Sequence, residues 1–257
     1  MSFKRVAHPD PARVQRSNNL LCQLWGLSGL SPHQESAGNS LLKGSNVVLD
    51  VPTGGGKTLA FWWPILYRWD PGVDEEGTRK IMLVVSPLVA LMDEQAADLC
   101  KRGIPTTLAL TSHTPGQVQA FQDAGQNKYR VLLVTPEMAV GSAFHEHILK
   151  AAPFHENVIG LAADEFHTTV EWDLEDFRPA YGELHILLKR LPIGLPIMMP
   201  SAHFLQSSSR VVFFLPCLLL TRIPWWCGGK CNFQYLISNE TGNAVYCDFC
   251  LSRAPIV

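Results

Sequence analysis

The stretch "NVVLDVPTGGGKTLAFWW", Asn46 to Trp63, decides the fold. It opens with an apolar run, turns through three consecutive glycines and enters a segment that reads as a helix. Strand, glycine-rich turn and helix, in that order, make a phosphate-binding loop. The glycines let the backbone turn tightly, so that N–H groups of Thr53, Gly54, Gly55 and Gly56 face inward. Lys57 supplies a point charge for β- and γ-phosphates, and Thr58 a hydroxyl for Mg²⁺. The helix that follows offers the positive end of its dipole to the anion. The strict pattern G-x-x-x-x-G-K-[ST] is broken only at its first position, where Val51 stands. The ligand this predicts is ATP with Mg²⁺.

Outward from that loop, strand-like apolar runs recur at 80–86, 106–110, 130–135, 158–164 and 196–199. Between them lie amphipathic segments starting near Lys57, Leu88, Gly116, Glu137 and Glu175. Continuous apolar strands are covered on both faces, which predicts a mainly parallel sheet flanked by helices, an α/β fold. Residues 1–40 read as helical in places, and 205–257 as irregular and rich in cysteine.

The composition is compatible with this. The chain has 257 residues, 47% hydrophobic and 17% charged, enough for a buried core. A net charge of −2 argues against a broadly basic nucleic-acid-binding surface, so any such contact is local. The opening "MSFKRVAHPDPARVQRSNN" lacks the apolar core of a secretory signal. The longest apolar run, Val211–Leu220, has ten residues and a proline, too short for a bilayer. A non-secreted protein with reduced thiols is the expectation.

A phosphate loop needs a carboxylate on a neighbouring strand to orient Mg²⁺, and a second one to polarise water. "VIGLAADE" ends in both: Asp164 for the metal and Glu165 for the water. The segment that follows, "DEFHTTVEWDLEDFRPAY" (Asp164–Tyr181), holds six carboxylates alongside Trp172, Phe177 and Arg178. Trp172 and Phe177 are suited to stack on bases without reading their identity, and Arg178 to meet a phosphate.

Asp164-Glu165-Phe166-His167 resembles the D-E-x-H box of superfamily-two helicases, and the chain is more similar still to the RecQ-like DNA helicases. In that family the phosphate loop reads P-T-G-G-G-K-[ST], as residues 52–58 do. "VVSPLVALMDEQ" (84–95) and "LLVTPEMA" (132–139) resemble two further motifs of the family. The aromatic-rich loop ending D-F-R-P-x-Y is matched in order at 171–181, with one extra residue between Trp172 and Asp176. "LSPHQ" (30–34) resembles the adenine motif F-R-x-x-Q and keeps Gln34, with Ser31 in place of the arginine.

The resemblance implies a RecA-like P-loop NTPase domain over 18–204, preceded by an extension (1–17) and followed by a tail (205–257). It implies an ATP-driven 3′-to-5′ DNA translocase acting on single-stranded or tailed DNA, in the nucleus or elsewhere in the cell, in DNA repair and recombination. It casts Lys57, Glu165 and His167 as catalytic groups, and Gln34 as the reader of adenine. Ser86 and Thr135 become phosphate contacts on DNA, and Ser201 and His203 become coupling residues.

The chain departs from the family at "MMPSAHF", where His203 stands for the threonine of S-A-T. Only 53 residues follow position 204, and they contain no arginine motif of a second RecA-like domain. The expectation is therefore nucleotide and DNA contact without unwinding by these residues alone. A non-enzymatic, nucleotide-dependent binding module stays open beside it. Cys227, Cys231, Cys247 and Cys250 have one spacing unusual for zinc, and are read as free thiols.

Overall fold

The computed structural model describes residues 2–73, 79–104, 107–111, 114, 116–165, 183–202, 232–238 and 244–250. Two helices come first, α1 (Pro11–Trp25) and α2 (Pro32–Leu42). The sheet then begins with β1 (Asn46–Asp50), which leads through the glycine loop into α3 (Lys57–Arg68). Next come β2 (Ile81–Val85), α4 (Val89–Lys101), β3 (Thr107–Leu110), α5 (Gln117–Gly125) and β4 (Val131–Val134). The chain continues through α6 (Pro136–Val140), α7 (Ser142–Phe144), a π-helical turn (His145–Leu149) and α8 (Ala152–Asn157). It closes with β5 (Val158–Ala163), α9 (Leu184–Leu188), β6 (Ile197–Ser201), β7 (Asn232–Ser238) and β8 (Ala244–Cys250).

The strands form one eight-stranded sheet in the order β3-β4-β2-β5-β6-β1-β7-β8. Every pairing is parallel except β7 with β8. Alternation along the strands explains why the predicted runs had no polar face. In β2, Leu83 and Val85 enter one apolar cluster while Met82 and Val84 enter the other. In β4, Leu132 and Val134 divide from Val131 and Leu133 in the same way. Both faces are thus buried, so these strands are apolar throughout. The Asn46 carboxamide accepts the Ile197 N–H at 3.0 Å and pins the start of β1 against β6.

Two features add to the sequence reading. The boundary between 17 and 18 falls inside α1, whose N-cap is Asp10 and whose Pro11 is at the first helical position. Residues before it are tied to the domain as well: the Phe3 N–H donates to the Ile193 carbonyl at 2.9 Å. The tail expected to be irregular supplies two strands. Asn232–Ser238 pairs with β1 in parallel, and Ala244–Cys250 returns antiparallel to it. Sequence did not announce them because polar residues interrupt each run and the partner of β7 lies far back in the chain.

Among the described residues no helix is long and apolar enough to cross a membrane. Cys227 and Cys231 lie outside the described residues, as does the run 211–220.

Candidate active site

Five strand ends place the predicted site along one edge of the sheet. In sheet order from β4 to β1, the residues just past or at the strand C-termini are Thr135, Ser86, Asp164, Ser201 and the glycine loop. The C-terminal edge of an open parallel sheet is where ligands of such folds bind, because loops and helix N-termini converge there.

The loop geometry follows from its residues. Gly54 and Gly56 have φ of 82° and 76°, left-handed values that favour glycine. Gly56 caps α3, and its second constraint is space: a Cβ there would sit 2.2 Å from Gln34 Nε2. Lys57 is buried, and its Nζ donates to the Val51 carbonyl at 3.0 Å, folded back over the loop.

Helix α2 clamps the loop from outside. His33 Nε2 lies 2.9 Å from the Gly55 carbonyl, and Gln34 Nε2 donates to the Gly56 carbonyl at 3.1 Å. A carbonyl only accepts, so the His33 proton is on Nε2. Burial holds the imidazole below its ordinary pKa, against a smaller upward push from the Gly55 hydrogen bond. In a planar trans peptide, C=O and N–H point opposite ways. Pinning the Gly55 and Gly56 carbonyls toward α2 therefore turns the Gly56 and Lys57 N–H groups away from it. The Gly55 N–H is committed differently, donating to the Pro52 carbonyl at 3.0 Å.

Close packing brings α2 into reach. Gly38 faces α3 so tightly that a Cβ would lie 2.6 Å from the Trp63 ring. Trp63 is itself fully buried, with its indole N–H on the Asn18 carboxamide at 2.6 Å.

At the end of β5, Asp164 is 4% exposed. Its Oδ1 accepts the Glu165 N–H at 3.1 Å, and Gln95 Nε2 stands 3.5 Å from Oδ2. Desolvation pushes its pKa up to about 6; Glu165 adds to the rise, while the Glu165 N–H, Gln95 and Lys57 oppose it. That Lys57 acts on Asp164 shows that the two halves of the site share one electrostatic neighbourhood. Glu165 is half-buried with φ 49°, an uncommon left-handed backbone for a non-glycine residue. Ser201 is fully buried one strand over, and its carbonyl accepts the Val51 N–H at 3.1 Å, linking the end of β6 to the start of the loop.

The residues present fit a nucleotide with Mg²⁺. The loop backbone is held open by glycines at positive φ, and the Lys57 cation acts electrostatically on the buried Asp164 carboxylate. Thr53 and Thr58 are on the loop and at the first turn of α3. Gln34 is placed differently from its sequence reading: its Oε1 accepts the Ser31 N–H at 2.9 Å and its Nε2 faces the loop.

Ser86 and Thr135, expected as phosphate contacts, stand at the ends of β2 and β4. Ser86 is 0% exposed and Thr135 5%, with the Thr135 hydroxyl capping α6 through the Met138 N–H. Leu88, Val89 and Ala90, just past Ser86, are exposed. His167, Trp172, Phe177, Arg178 and His203 lie outside the described residues. His33 and Gln95 were missed by sequence reading. Each sits inside a quoted motif, but neither contact is local in sequence, so no spacing rule exposes it.

Known proteins decide the family. The model of the DEAD/DEAH box helicase matches residues 31–210. The chain belongs to that family. Among curated relatives, the ATP-dependent DNA helicase hus2/rqh1 of Schizosaccharomyces pombe is 33% identical over 180 residues, 68% of this chain and 13% of that protein. The probable ATP-dependent DNA helicase RecS of Bacillus subtilis is 34% identical over 171 residues, 66% of this chain and 31% of that protein. These relatives bear out the RecQ-like resemblance. In fold, the chain is similar to the DUF1998 helicase MrfA crystallised with DNA, with a TM-score of 0.60 at 18% identity, covering 95% of this chain and 32% of that one. The DEAD/DEAH chain thus spans no more than a third of the length of these proteins.

Proposed function

We propose that this chain is the ATP-binding half of a RecQ-like DNA helicase, in which nucleotide state and DNA contact are read by one sheet edge. The observation that carries the reading is the convergence of the glycine loop, Ser201 and Asp164 at the ends of the adjacent strands β1, β6 and β5. The Gly56 and Lys57 N–H groups and the Lys57 ammonium bind the phosphates. Thr58 and Asp164 hold Mg²⁺, which neutralises charge on the phosphates when bound. Glu165 orients water and accepts its proton. The segment from His167 to Tyr181 follows Glu165 directly in the chain, so base stacking by Trp172 and Phe177 and a phosphate contact by Arg178 bear on Glu165 through a few peptide bonds.

The direction, 3′ to 5′, a preference for single-stranded or tailed DNA, and nuclear repair and recombination work belong to the same reading. Strand separation needs the second wall of the nucleotide cleft, so residues 1–257 alone are expected to bind ATP and not unwind. The deciding measurement is ATP binding and turnover by this chain with and without single-stranded DNA, and with RNA as a control. The reading expects Mg²⁺-dependent ATP binding that needs Lys57, with turnover raised by DNA and abolished in Glu165→Gln. ATP binding indifferent to Lys57→Ala overturns it. Binding without turnover, unchanged in Glu165→Gln, makes the chain a nucleotide-dependent binding module instead. Unwinding by 1–257 that is lost in Lys57→Ala overturns the limit on the isolated chain.

A further inference from the structure

The edge of the sheet away from the glycine loop holds a second concentration of charge. A cavity of about 590 Å³ opens there, lined by the start of the chain, the end of α3 and the beginnings of β2 and β5. A strand of five or six residues spans roughly 17–20 Å, so this cavity and the nucleotide site are separated by about the length of the strands. Lys4, Arg68, Lys80 and Glu156 all line it.

Arg68 is the informative group. It ends α3, its Nη1 is buried, and among the described residues that nitrogen has no hydrogen-bond partner. Burial draws the guanidinium down to about 10, still fully charged at neutral pH. A buried guanidinium nitrogen without an acceptor costs on the order of 1–3 kcal/mol or more. Lys80 is held below its ordinary range by burial first, then by the charges of Arg68 and Lys4, with Glu156 opposing. Lys80 therefore feels the charges of both Arg68 and Lys4, and one exposed carboxylate, Glu156, opposes them. Lys80 is anchored by donating to the Asn157 carboxamide at 2.7 Å, so its ammonium is fixed at the cavity wall.

We propose that this cavity is an anion site, with Arg68 and Lys80 receiving a phosphate group. A phosphate oxyanion in the cavity meets the positive charge of the Arg68, Lys80 and Lys4 side chains that line it and offsets the charge crowded around Lys80. The phosphate is carried either by a small phosphorylated molecule or by a nucleic-acid backbone. The site is independent of the nucleotide reading, because no residue of the glycine loop lines the cavity.

The test uses the full chain carrying Lys57→Ala, which silences the glycine loop, titrated with inorganic pyrophosphate by calorimetry. Near-stoichiometric binding is expected, weakened at least tenfold by Arg68→Gln and by Lys80→Gln. Glu156→Gln is expected to tighten it severalfold, a gain that no misfolded variant mimics. Absence of binding in Lys57→Ala, or affinity unmoved by Lys80→Gln and Glu156→Gln together, overturns the proposal. A short oligo-dT that competes with pyrophosphate in the Lys57→Ala chain assigns the site to nucleic-acid backbone. Pyrophosphate binding untouched by oligo-dT assigns it to a small phosphorylated molecule.

Discussion

The glycine loop and the end of β5 face the same space and are held by opposite means. The loop is fixed by hydrogen bonds to its carbonyls, from His33, Gln34 and Lys57. Asp164 is fixed by burial, at an electrostatic cost visible in its raised pKa. One half of the site is preorganised; the other is destabilised in its charged form until a cation meets it. The difference teaches that the two halves respond differently to substitution. Changes in the loop should act chiefly by weakening ligand binding, whereas removing the Asp164 charge should stabilise the ligand-free fold.

The largest effect is expected at Lys57. Replacing it with alanine removes the charge-assisted bonds to phosphate, and ATP affinity should fall at least about 100-fold, roughly 2.7 kcal/mol. The same change takes away a cation that lowers the Asp164 pKa, so Asp164 should titrate higher still. Nucleotide titration and the carboxyl resonance of Asp164 followed against pH check both halves of this statement.

Next is Asp164→Asn, measured without nucleotide or Mg²⁺. The folded pKa of about 6 lies above the ordinary 3.8, so the folded state holds its proton more tightly than the unfolded chain. The stability this contributes is full below the ordinary value and is lost as pH rises through 6. At pH 8 the ionised side chain therefore costs on the order of 2–3 kcal/mol. Asparagine keeps an acceptor for the Glu165 N–H and carries no charge. Asp164→Asn should melt several degrees higher at pH 8, with the gain shrinking toward pH 4. An equal gain at both pH values would show that burial of the charge is not the cause.

Much of this arrangement was legible in the sequence, for a physical reason. Apolar runs at 46–51, 80–86 and 158–164 have only one way to be buried on both faces, and the loop's chemistry is contiguous from Thr53 to Thr58. What was not legible depends on contacts between distant segments. A hydroxyl in "VVSPL" or "LLVTP" carries no mark of its burial, so the depth of Ser86 and Thr135 was not legible. β7 owes its place to β1, nearly two hundred residues earlier, and its own mixed composition does not declare it.

A pair of glycines sharpens the loop side of the comparison. Gly54 and Gly56 both have positive φ, but a Cβ at Gly54 meets nothing within 4 Å, while one at Gly56 meets Gln34. Gly54→Ala should carry only backbone strain, about 1–2 kcal/mol. Gly56→Ala should also displace Gln34 and loosen the clamp, costing roughly tenfold in ATP affinity beyond Gly54→Ala. Equal effects would mean that the clamp does not shape the loop.

The smallest effect separates His33 from plain packing. Its Nε2–H holds the Gly55 carbonyl, and a neutral hydrogen bond of this kind contributes about 0.5–1.5 kcal/mol. His33→Leu fills the space without a donor and should weaken ATP binding about three- to tenfold. Glutamine places an N–H donor at a comparable reach, so His33→Gln should recover most of the loss. The imidazole is held neutral by burial, and its bond to Gly55 uses a proton present in both charge states. ATP affinity of the wild-type chain should therefore show no His33-dependent step between pH 7 and 8. If leucine and glutamine behave alike, the space His33 fills matters and its proton does not, and the loop's orientation rests on Gln34 and Lys57.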